Sequence, residues 1–243
     1  MVFMRRPLSL MALFLALAAT GGTARAASFD CGQASAPDEK MVCADPQLSE
    51  LDSRMGEAFT QAKATAPDEQ LRAEVIAMAR QFLKDRRACG VDLSCVIATY
   101  TGAIQRYQNA GASVAMPAWV TAVKIAAGRA TESAVLPAQI GQCTETAVKV
   151  VGPRLYRNVP PSDPSYFAMG TAVGFTNGGS QVSYDPEPGI IGSKPGDRVL
   201  MCLISLPRNC PPGDERGKFY MVTNLRTKAN WLLPDSQHNC GGA

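Results

Sequence analysis

Apolar positions recur at three- and four-residue steps from about residue 46 to residue 107, and beyond Ile140 the spacing shortens toward two. Leu48, Leu51, Met55, Phe59 and Ala62 fall on one face of a helix that Asp45-Pro46 opens. A short helix precedes it, with Ser35 as its expected cap, Pro37, Asp38 and Glu39 in its first turn, and an end near Cys43. A third helix starts around Pro67-Asp68-Glu69, presents Leu71, Val75, Met78 or Ala79, and Phe82, and stops at Gly90. Asp92 restarts the chain, and Leu93, Val96, Tyr100, Ile104 and Tyr107 line a fourth helix able to fold back along the third. The pattern reads as a short helix followed by an antiparallel three-helix array.

From Gly111 to about Pro137 the residues turn to Ala, Gly, Ser and Thr with scattered apolar positions, which reads as a linker. Trp119 and the apolar run through Val123 offer the alternative that this stretch docks on a neighbouring unit. Beyond it, residues 146–151 form a candidate strand, and residues 171–175 and 181–184 around Asn177-Gly178-Gly179 read as a hairpin. Residues 198–206 are the most apolar strand, and residues 218–224 and 231–233 flank a turn near Arg226-Thr227-Lys228. Five or six short strands in some 100 residues fit a small barrel or sandwich.

The 243 residues leave room for one or two domains with real cores. Arg5 and Arg6 ahead of an apolar run, followed by Ala24-Arg25-Ala26, have the form of a cleaved secretory signal over residues 1–26. The apolar run is shorter than the roughly 20 residues a membrane span needs. Lipid attachment is not expected, because Ser28-Phe29-Asp30 precedes Cys31. The formal charge of +3 belongs to that leader, since the remainder balances 21 basic against 21 acidic residues. Nucleic-acid binding therefore gains no support.

Eight cysteines behind an export signal point to disulfides: Cys31, Cys43, Cys89 and Cys95 in the first half, Cys143, Cys202, Cys210 and Cys240 in the second. Each set of four permits three pairings. The preferred ones are Cys31 with Cys43, Cys89 with Cys95, Cys143 with Cys240 at the two ends of the strand-rich unit, and Cys202 with Cys210. Zinc is disfavoured, for there is no C-x2-C pair and His238 is the only histidine.

Recognisable hydrolase and nucleotide-binding motifs are missing from the sequence, and His238 lies in a Gly- and Cys-rich tail that suits a surface turn. Gly178-Gly179 and Gly241-Gly242 lack the strand-to-helix setting of a phosphate cradle. A carboxylate pair for glycan hydrolysis would have to come from Glu39, Asp45, Asp52, Glu57 and Glu74, each of which suits a helix cap, a dipole partner or a solvated face.

Asp30-Cys31, Ala34, Glu39, Val42-Cys43, Leu48, Leu51-Asp52, Leu83, Arg86, Cys89-Gly90, Cys95 and Tyr100 together resemble the N-terminal domain of the LprI-like lysozyme inhibitor family, over roughly residues 28–110. The resemblance implies an exported helical domain and, by the family's name, inhibition of lysozyme. Phe82 stands where members often carry tryptophan, and the lipid-attachment cysteine is missing. In such a bundle Glu39, Asp52 and Arg86 are expected to hold the helices together, Arg86 pairing with one of the two acids. Residues 27–113 carry nine Lys/Arg against twelve Asp/Glu, an acidity that suits a basic partner such as an animal lysozyme.

The sequence thus predicts an α+β chain of two domains: a disulfide-clamped antiparallel helical bundle (27–111), a linker (112–138) and a small all-β barrel or sandwich (139–243). The expected activity is non-enzymatic binding in the periplasm or outside the cell, with no cofactor and with lysozyme or another envelope protein as partner. A general envelope-binding or assembly module is the alternative, ahead of a glycan hydrolase.

Overall fold

The computed structural model describes residues 27–127, 129–155 and 158–242, and the expected leader lies outside them. A 3-10 turn at Cys31–Gln33 leads into α1 (Pro37–Ala44), α2 (Pro46–Thr65), α3 (Glu69–Cys89) and α4 (Leu93–Asn109). The three long helices each begin on an aspartate whose carboxylate accepts orphan backbone N–H groups: Asp45 from Gln47 and Leu48, Asp68 from Leu71, Asp92 from Cys95. Ser35 is not the cap of α1. That position is Ala36, and the Glu39 carboxylate reaches back to accept the N–H groups of both Ser35 and Ala36. On α3, Val75 and Phe82 are buried, but Leu71 is 41 % exposed, so the buried face begins one turn later than its spacing suggests. Helix α4 buries twelve of its 17 residues, because α2 and α3 cover one side of it and the sheet covers another.

The strands are β1 (Thr131–Glu132), β2 (Cys143–Pro153), β3 (Thr171–Phe175), β4 (Ser180–Ser183), β5 (Arg198–Ser205), β6 (Phe219–Asn224) and β7 (Asn230–Pro234). They form one sheet in the order β4-β3-β2-β5-β6-β7, antiparallel throughout except where β1 lies parallel to β2. It curls into a half-barrel in place of the closed barrel or two-sheet sandwich expected. Across the gap between its edges Gln181 of β4 donates from Nε2 to the carbonyls of Tyr220 and Leu233, and its Oε1 accepts from Trp231 Nε1.

Strand β5 explains why residues 198–206 read as a nearly unbroken apolar run. Val199, Met201 and Leu203 point into the curl with Val148, Phe175, Tyr220, Val222 and Trp231. Cys202 and Ile204 point the other way, into a cluster shared with α4 and with α5 (Ala122–Ala126). Both faces of the strand are buried, so the usual alternation disappears.

Residues 112–126 are not an open tether. Ala112, Val114, Val120, Ala122, Ile125 and Ala126 are buried in the same cluster, and Trp119 donates its indole N–H to Glu50 of α2. The alternative in which Trp119 docks is the one found. The helical and strand-rich halves meet across a common core, and one close approach is at Gly102 of α4. A Cβ there would lie 3.1 Å from the carbonyl oxygen of Ile204 and 3.3 Å from Ser205 Cβ.

All eight cysteines are bridged: Cys31–Cys43, Cys89–Cys95, Cys143–Cys202 and Cys210–Cys240. The second pair of pairings corrects the expected Cys143–Cys240 and Cys202–Cys210. Cys143 and Cys202 are register partners on the neighbouring strands β2 and β5 with Cα atoms 4.0 Å apart, while Cys210 and Cys240 sit in loops brought to one edge. No helix among the described residues is long and apolar enough to cross a membrane.

Two outcomes follow from this packing. Gly102→Leu should lower stability by about 1–3 kcal/mol in urea unfolding, despite the better helix propensity of leucine, because the added atoms press α4 away from β5. Replacing Cys143 and Cys202 together by alanine should cost about 4 kcal/mol and replacing Cys89 and Cys95 about 2 kcal/mol, since the longer loop loses more closure entropy. Paired denaturation curves under oxidising conditions check the order.

Candidate functional site

Two features of the helical half and its junction with the sheet are candidates for function: a buried ionic centre and a groove. The ionic centre is built on Arg86, near the end of α3. Its Nε donates to Asp38 Oδ2 at 2.7 Å and its Nη1 to the Tyr100 hydroxyl at 3.1 Å, and that hydroxyl in turn donates to Asp52 Oδ1 at 2.7 Å. Asp38 comes from α1, Asp52 from α2 and Tyr100 from α4, so one guanidinium ties four helices. Arg86, Asp38, Asp52 and Tyr100 are all buried.

The sequence expectation was that Arg86 pairs with Glu39 or Asp52. Both carboxylates lie within ion-pair distance of the guanidinium, at 3.7 and 3.8 Å, and a shorter contact that the sequence reading did not include goes to Asp38. The signal for Asp38 was present: it lies four residues before Val42, which is fully buried, so the two share a helix face. Asp38 Oδ1 has no hydrogen-bond partner among the described residues, which leaves Arg86 as the group that offsets its charge.

Burial, and after it the adjacent Asp52 carboxylate, pushes the Tyr100 hydroxyl far above its ordinary range, so it stays a donor at any physiological pH. The N-terminal segment closes over the centre. The Ser28 N–H donates to Asp52 Oδ2, and the rings of Phe29 and Phe82 stand 5.4 and 5.8 Å from the Arg86 guanidinium. This arrangement holds helices in place and presents no group to solvent for chemistry.

The remaining carboxylates weighed for glycan hydrolysis have local partners. Glu39 caps α1 and Asp45 caps α2. Glu57 lies 3.6 Å from Arg54, and Glu74 accepts from Gln70. His238 is exposed in the tail. Among the described residues no group of three or more His, Cys, Asp or Glu could hold a metal ion.

The groove lies between the C-terminal half of α4, the segment before α5, and the β7 end of the sheet, with a volume of about 570 Å³. Gln105, Gln108 and Asn109 line it from α4; Tyr184, Asn230 and Leu232 line it from the sheet side. Gln108 is oriented by donating to the Val114 carbonyl, and Tyr184 by donating to the Gln237 carbonyl beneath the Arg154 guanidinium, 4.2 Å from its ring. Asp185 is the one carboxylate in the lining, and amides and aliphatic groups make up most of the rest. Sequence reading did not find this groove, because its walls come from segments some 80 to 130 residues apart.

No family model, curated protein or solved structure matches this chain. The geometry stands alone.

Arg86→Met should cost about 3–5 kcal/mol in chemical denaturation, because it leaves Asp38 and Asp52 buried without their cation. Arg86→Lys should recover only part of this, since an ammonium cannot present two fixed N–H groups to Asp38 and Tyr100 at once. A lysine variant as stable as the parent would refute the fork geometry as the source of the stability.

Proposed function

We propose that the protein is an exported, non-enzymatic binding protein whose helical half covers the active-site cleft of a muramidase. The observation that carries the binding part of this reading is the lining of the groove, in which amides, an aromatic hydroxyl and aliphatic side chains surround a single carboxylate. Hydrolysis by a carboxylate pair needs two such groups flanking the scissile bond. The groove offers only one, which supports holding a ligand over that mechanism of cutting it.

Two further features support the partner. The helices are cross-linked at Cys31–Cys43 and Cys89–Cys95 and tied through Arg86, so the surface they offer is pre-organised and loses little freedom on docking. The acidity of residues 27–113 favours encounter with a basic enzyme, modestly, since the excess is three charges. The family resemblance of residues 28–110 points the same way. The leader-like first 26 residues and the four disulfides, which persist in oxidising compartments, support export.

The groove also favours a second reading, a module that binds envelope glycan or peptide and leaves muramidase untouched. Its neutral amides and Tyr184 suit hydroxyl and peptide groups.

The test mixes purified oxidised protein with lysozyme and a peptidoglycan suspension and follows turbidity. Clearing should slow in proportion to added protein, and less so at high salt. Unchanged clearing, with the protein sedimenting on peptidoglycan, would transfer the assignment to the second reading. Clearing by the protein alone would overturn both.

A further inference from the structure

We infer that the pocket between α3, α4 and the segment after β5 binds a small aliphatic carboxylate through the guanidinium groups of Arg106 and Arg208. The pocket measures about 320 Å³ and is walled on its apolar side by Ile140, Ile204 and Leu206. That volume accommodates a molecule of the size of an N-acetylated alanine.

Arg106 is the reason to assign a ligand. It projects from α4 only partly exposed, and among the described residues its guanidinium makes no hydrogen bond or ion pair. Burial, and then the nearby Arg208, lower its pKa, and Asp85 offsets only part of this. The contrast is Arg86 on the neighbouring helix, whose guanidinium is matched by carboxylates and a hydroxyl. A purely structural arginine is expected to be paired in that way.

The acid nearest Arg106 is already engaged. Asp85 accepts from Arg208 Nη2 at 2.5 Å and from Gln81 Nε2 at 2.8 Å. The pocket therefore holds two guanidinium groups against one carboxylate. A planar carboxylate matches the fork of Arg106 in two parallel hydrogen bonds. Phosphate would match the charge as well, but its remaining hydrated oxygens would lie against Ile204 and Leu206, where an aliphatic body is favoured instead.

The carboxylate can belong to a free acid or to the end of a peptide with a small aliphatic last residue. The chemistry recognised is the same.

The test titrates the oxidised full chain at constant ionic strength with N-acetylalanine, its uncharged amide, butyrate, N-acetylalanylalanine and inorganic phosphate. Amide chemical shifts and the melting temperature are the readouts. N-acetylalanine should saturate, raise Tm and shift amides along α4 near Thr99 and Arg106, and the uncharged amide should bind about tenfold more weakly or worse. Tighter binding of butyrate marks a free acid as the source, and tighter binding of N-acetylalanylalanine marks a peptide end.

Arg106→Gln should weaken N-acetylalanine about tenfold or more while leaving the unliganded Tm unchanged or higher, because an unpaired charge has been removed. Phosphate binding as tightly as the carboxylates, an unaltered affinity in Arg106→Gln, or no saturation by any carboxylate would each overturn the assignment. The readout is a bound anion and not slowed clearing, so this inference and the function proposed above can fail separately.

Discussion

The contact of α4 with β5 is the constraint on which the architecture depends. A helix can lie against a strand this closely only where a residue without a side chain lets the backbones approach, and Gly102 supplies that residue. Because α4 also packs on α2 and α3, and β5 also faces the inside of the half-barrel, these two elements are covered on nearly every side. The halves of the chain cannot separate without exposing both, and residues 112–126, in the stretch that joins them, are drawn into the same core.

Around that contact the helices are fixed by a polar centre and by sulphur. Arg86 contributes less as an attraction than as a condition: with Asp38 and Asp52 buried, only an arrangement that brings a cation to both is tolerable. The bridges act at the margins. Cys31–Cys43 and Cys89–Cys95 close short loops at the helix ends, and Cys143–Cys202 staples adjacent strands beside the α4 contact. Burial sets the arrangement, and the cross-links narrow what the unfolded chain can explore.

What the sequence revealed and what it hid follow from the range of the interactions. Helix starts at Asp45, Asp68 and Asp92 were legible because capping is local. The β3–β4 hairpin was legible for the same reason, since Asn177-Gly178-Gly179 encodes its own turn. The Cys143–Cys202 bridge was not, because β2 pairs with β5 across the intervening β3–β4 hairpin, and nothing along the chain says which distant strand will lie alongside. Asp38 lay between these cases. Its helix was recognisable, but its inward face was visible only in its phase with Val42. The groove and the Arg106 pocket were hidden altogether, for both are made by elements that meet only in the folded chain.

Both openings are products of the same α4–β5 contact. At about 100° per residue, Thr99 and Arg106 lie to one side of Gly102 on the helix surface, and Gln105 and Gln108 lie to the other. Where the curled sheet bends away from a straight helix, space must open on each flank of the line of contact. On the flank toward the end of β5 that space is bordered by Arg106 and Arg208, and on the flank toward β7 by amides and Tyr184. One opening therefore has an excess of cations and the other a single carboxylate with no cation, though they share a helix. A helix fitted against a curved sheet at one glycine thus creates two recesses of different chemistry, and the side chains on either side of position 102 determine what each can hold.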